Sequence, residues 1–82
     1  MRIASLNVTS KEFTGEIVLP ANVHRKYLFI VMTEGTEGTI ELGGGGGKIP
    51  IETGFHFNPY PVPTSEVSII TDGKVVIISN DI

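Results

Sequence analysis

Apolar and polar residues alternate with a period of two along most of the chain, and no stretch sustains a helical period. Ala4, Leu6 and Val8 alternate with Ile3, Ser5 and Asn7, which predicts an opening strand that ends at Thr9-Ser10-Lys11. Phe13, Gly15, Ile17 and Leu19 share one face of a second strand, and Pro20 stops it for want of a ladder N–H. Tyr27 to Thr33 is the strongest strand, apolar on both faces, so a central place covered on both sides is expected. Glu34 to Gly38 reads as a turn, with Thr39 to Leu42 returning as the partner strand of a hairpin.

The glycines Gly43, Gly44, Gly45, Gly46 and Gly47 follow, and Lys48 to Ile51 resumes strand character. Glu52-Thr53-Gly54 turns into Phe55-His56-Phe57, whose two phenylalanines are expected to face the core while His56 points out. Asn58 to Pro63 alternates prolines and is stiff and extended. Ser65 to Thr71 is a strand, Asp72-Gly73 is a hairpin signal, and Lys74 to Ser79 closes the chain. Val75 to Ile78 is apolar on both faces, which points to central placement or to burial of the second face against another subunit. Seven or eight short strands with turns between them predict one all-β domain over residues 1–82, a small antiparallel β-sandwich or jelly-roll-like barrel.

A chain of 82 residues has a thin core and gains from a staple, and the lack of cysteine removes disulfides and thiolate metal sites. Self-association is the staple that remains. The net charge of −3 and six scattered basic residues provide no stripe for nucleic-acid phosphates. The apolar run from Tyr27 to Met32 is far short of a membrane span, and no charged region followed by an apolar block marks a secretory signal.

The motifs that carry chemistry fail on inspection. Gly47-Lys48 imitates the end of a phosphate-binding loop, but Leu42 stands where its first glycine belongs and Ile49 where its hydroxyl belongs. Pro50 and strand character follow in place of a helix, so the glycines read as a loop between strands. His24 and His56 lack ligand spacing, and no nucleophile elbow is present. The expectation is a non-enzymatic domain without cofactor or metal.

One resemblance covers about three quarters of the chain, from Leu19 to Ser79. It rests on Leu19-Pro20-Ala21-Asn22 with Arg25 and an apolar strand, then Ile40-Glu41-Leu42-Gly43-Gly44-Gly45, then Gly54-Phe55-His56-Phe57. The Pro61-Val62-Pro63-Thr64 crossover, the Gly73 turn and the final strand complete it. In order and spacing these segments resemble the small β-sandwich virion proteins of tailed bacteriophages that decorate or cement the head. The resemblance implies a capsid decoration protein in the virion, bound to the major capsid protein or another virion protein, as a homotrimer at symmetry axes.

Contact residues are expected in the N-terminal segment, in the glycine loop from Gly43 to Lys48, and around Pro59, Tyr60 and Pro61, since irregular loops on a rigid scaffold tend to carry binding. A rival reading is a carbohydrate- or peptide-binding module that uses Tyr27, Tyr60, Phe55 and Phe57. Six aromatics and no tryptophan supply little for it beyond what the core needs.

Overall fold

The computed structural model describes residues 7–45 and 47–82, and the strand expected over Ile3 to Val8 lies largely outside them. Six strands are present among the described residues: β1 (Thr9–Leu19), β2 (Leu28–Glu34), β3 (Gly38–Leu42), β4 (Lys48–Ile51), β5 (His56–Phe57) and β6 (Val67–Ser79). All pair antiparallel in one curled sheet, a half-barrel in which β6 is the spine.

One edge of β6 carries β1 along its whole length, from Thr9 opposite Ser79 to Leu19 opposite Val67. The other edge is shared. β2 pairs with its second half, Leu28 opposite Ser79, and β3 with its first half, Leu42 opposite Val67. β2 and β3 therefore run in the same direction, end to end, and the expected hairpin between them does not form. Residues 35–37 only step the chain from one half of β6 to the other. β4 then flanks β3 through the glycine loop, and β5 flanks β2.

Asp72-Gly73 is likewise not a hairpin. β6 continues through it as one strand, and neither Asp72 nor Gly73 has the positive φ that the favoured two-residue hairpin turn needs at both central residues. Instead the strand bends there. Between Thr14 opposite Lys74 and Glu16 opposite Ile70, three residues of β6 face the single Gly15 of β1, a bulge that turns the ladder. The irregular link 35–37 sits beside it, and Thr53 and Gly54 join through the Thr53 hydroxyl to Gly35 O (2.6 Å) and Gly54 N to Met32 O (3.0 Å). A crease thus crosses every row of the sheet and divides it into two halves.

The inner face follows from strand alternation. Ile17 and Leu19 of β1, Leu28, Ile30 and Met32 of β2, Ile40 of β3, Ile51 of β4 and Val67, Ile69, Val75 and Ile77 of β6 are all buried. A single flat sheet would leave this face open to water. Closing the two halves about the crease buries one against the other, which is the hydrophobic drive for the curl. Phe13 and Phe57 pack partly buried against this core.

The outer face is less covered than expected for β2. Phe29, Val31, Val76 and Ile78 are only half-buried there, and the His56 ring stacks over Phe29 at 5.8 Å between centroids and 13° between planes.

Candidate functional site

Two arrangements stand out, one at each end of the closed halves. The first is a polar clasp around Arg25, in the loop between β1 and β2. Its guanidinium is buried and donates Nε to Asp81 Oδ2 (2.9 Å), Nη1 to Pro63 O and Ser65 O (both 2.9 Å), and Nη2 to Pro20 O (2.7 Å). Asp81 also accepts from Asn22 Nδ2 (3.3 Å) and from the Ser79 hydroxyl. Asn80 continues the seam, its Oδ1 accepting from Lys26 N (2.7 Å) and its Nδ2 donating to His24 O (2.9 Å).

The geometry of this clasp is informative because Ser65 and Asp81 flank the two ends of β6. Sixteen steps of extended chain would separate them by roughly 50 Å. One guanidinium touches both, so the bend at Asp72-Gly73 folds β6 nearly back on itself. Burial by itself would push the Asp81 carboxyl up, but the Ser79 hydroxyl, Arg25 and Asn22 together hold it below the ordinary range. The carboxylate therefore stays charged opposite the buried Arg25.

The second arrangement lies at the crease. Asp72 accepts from Thr36 N (2.9 Å), Glu37 N (3.2 Å) and the Thr36 hydroxyl, which caps the link between β2 and β3. The Thr36 hydroxyl and the Glu37 amide hold its carboxyl below the ordinary range. Gly73 makes the crossing possible, since a Cβ on it would overlap Glu34 O and lie 2.6 Å from Gly35 Cα.

Next to this cap opens a shallow groove of about 450 Å³. Its floor is a row across three strands, Pro50 of β4 beside Thr39 of β3 beside Ile70 of β6, and Ile70 is 44% exposed. Glu37 and Asp72 stand on its rim, and an adjoining hollow that shares Glu37, Pro50 and Ile51 adds Glu52 and Phe55. No basic side chain lines either hollow.

The residues expected at contacts are elsewhere. Gly43 and Gly44, with φ of +81° and +70°, make the tight turn of the β3–β4 hairpin, and Gly43 N donates to Glu66 O (2.8 Å). Gly45 and Gly47 are exposed, Gly46 is outside the described residues, and Lys48 opens β4 opposite Glu41. Pro59, Tyr60 and Pro61 lie in the loop between β5 and β6, where Tyr60 is 95% exposed. That loop is held on one side by Arg25 and on the other by Gly43, so both expected contact loops are anchored on the segment 63–66. The N-terminal segment falls largely among residues outside the description.

Phe55 departs from expectation. It is 42% exposed rather than turned into the core, because it precedes β5 and its N–H closes a turn onto Glu52 O (2.9 Å). No local spacing in the sequence marks the clasp or the groove. Only the opposite charges of Arg25 and Asp81 could have signalled the clasp, and 56 positions separate them.

The sheet edges are blunted. β1 places Lys11 at an inner-face register opposite Ile77 while remaining exposed, β4 carries Pro50, and β5 is two residues long. Among the described residues no three histidine or carboxylate side chains group as metal ligands. The chain matches no protein-family model, no curated protein and no solved structure.

Proposed function

We propose that this chain is a non-enzymatic structural protein of a tailed-phage virion, a decoration or cement protein that docks on the head surface and stabilises it. The observation that carries this reading is the exposed apolar surface on the outer face of the sheet, with Val18 50% and Ile70 44% exposed on neighbouring strands. The inner core is complete without them, so they are free to be buried by a partner. Blunted edges favour docking through the face over strand addition. In this reading the two halves of the curled sheet serve as the facing layers of the small sandwich, its partner is the major capsid protein or another virion protein, and the chain assembles as a trimer in the virion.

Adding the purified chain to heads that lack it is expected to raise their resistance to heat and osmotic shock. Light scattering behind size-exclusion chromatography is expected to give a trimer mass. Failure to bind any head from its own source overturns the proposal.

The second reading is a small carbohydrate- or peptide-binding module. The 95% exposed Tyr60 and the 42% exposed Phe55 favour it, as rings that the core does not use. A glycan array on which Tyr60→Ala abolishes a hit would select this reading over the first.

A further inference from the structure

The groove at the crease has a chemistry that specifies its occupant. Its floor is the row of Pro50, Thr39 and Ile70, apolar at both ends, whose register crosses three strands. Two steps of about 4.8 Å make that row roughly 10 Å long, the span of about three residues of extended chain. The rim on the crease side is of one sign. Glu37 and Glu52 are exposed and take part in none of the ion pairs among the described residues. Asp72 is held by neutral donors, which fix its position without cancelling its charge. Glu16 continues the row beyond Ile70 on β1. The row on the far side pairs Lys48 with Glu41, so the field over this exposed strip is negative along its crease side and at its β1 end.

We propose that this groove is the docking site for an extended segment of a protein partner that carries Lys or Arg side chains beside apolar ones. The apolar side chains of the segment cover Ile70 and Pro50, and its cations meet Glu37, Glu52 and Asp72. An anionic or purely apolar segment gains only part of this complementarity and meets repulsion or leaves three carboxylates bare. The site deepens the reading of the chain as a docking protein of the virion and rests on it for the partner's identity, but not for its chemistry.

The probe is a capped heptapeptide of alternating Val and Lys, titrated into the isotope-labelled chain and followed by amide chemical shifts. Saturable shifts confined to Glu37, Gly38, Thr39, Ile51 and Ile70 to Asp72 are expected, and the Val and Glu counterpart should produce none. Glu37→Lys with Glu52→Lys, both at exposed positions, should weaken the Val and Lys peptide by about tenfold or more. No saturable shift, shifts centred elsewhere, or an equal response to the Glu peptide overturns the groove. The same double variant is then added to heads. Heads that bind the parent and the variant equally overturn the groove and leave the virion reading standing. A peptide held in the groove by a chain that binds no head overturns the virion reading and leaves the groove.

Discussion

Replacing Arg25 by Ala removes a side chain that holds both ends of β6 together. Four hydrogen bonds go with it, to Asp81, Pro63, Ser65 and Pro20. Asp81, with a side chain only 8% exposed, keeps Asn22 and Ser79 but loses its counter-charge. Breaking a buried pair from one side costs about 3 to 5 kcal/mol. Pro20 and Ser65 lie at exposed positions, so water can replace Arg25 at their carbonyls, and this limits any further loss. Against a total stability of about 4 to 12 kcal/mol for a domain of this length, the loss is a large fraction. At about 4 to 8 °C per kcal/mol, the thermal midpoint should fall by roughly 12 °C or more.

Urea and thermal unfolding followed by far-UV circular dichroism measure this directly, since the chain lacks tryptophan. Arg25→Lys keeps the charge but has no planar fork to reach three carbonyls and a carboxylate, so it should recover only part of the loss. Arg25→Met combined with Asp81→Leu separates the pair from its surroundings. The carbonyl of Pro63, at a half-buried position, still wants a donor in that variant, so it should remain less stable than the parent. A loss under about 1 kcal/mol for Arg25→Ala, or full stability of the Met and Leu combination, would refute the view that the clasp closes the fold.

Gly73→Ala should cost about 1 to 3 kcal/mol or prevent folding, because its Cβ has to displace the Glu34 carbonyl, whereas Gly45→Ala meets nothing within 4 Å and should lie within about 0.5 kcal/mol of the parent. Matched urea titrations of the two variants check this, and equal midpoints would contradict the crease. The Asp81 carboxyl is depressed below its ordinary value of 3.8 on folding, so its stabilisation is full above that value and drains away as pH falls through the lower folded value. Urea midpoints measured between neutral pH and about pH 3 should therefore drop steeply at the acid end, and less steeply for Asp81→Asn.

The positions of the strands were legible in the chain, because a period of two is a local property of side-chain order. Leu28–Glu34, Gly38–Leu42 and Lys48–Ile51 appear close to where the apolar pattern puts them, Pro20 ends β1, and Gly43 and Gly44 turn the chain between β3 and β4. The all-β class follows from the same pattern. Pairing did not follow from it. The signal at 34–38 and the one at Asp72-Gly73 both mean that the backbone departs from a regular strand there, and each was consistent with a reversal. The structure uses them to bend two long, paired tracks at the same level: Asp72 caps the link between β2 and β3, and Gly73 lets the two backbones pass. Which strands meet depends on burying Ile17, Ile30, Ile40, Ile69 and Ile77 together, a condition on the whole chain at once. The clasp and the groove are products of that closure. Arg25 meets Asp81, and Pro50 lines up with Ile70, only after residues far apart in sequence have been brought into register.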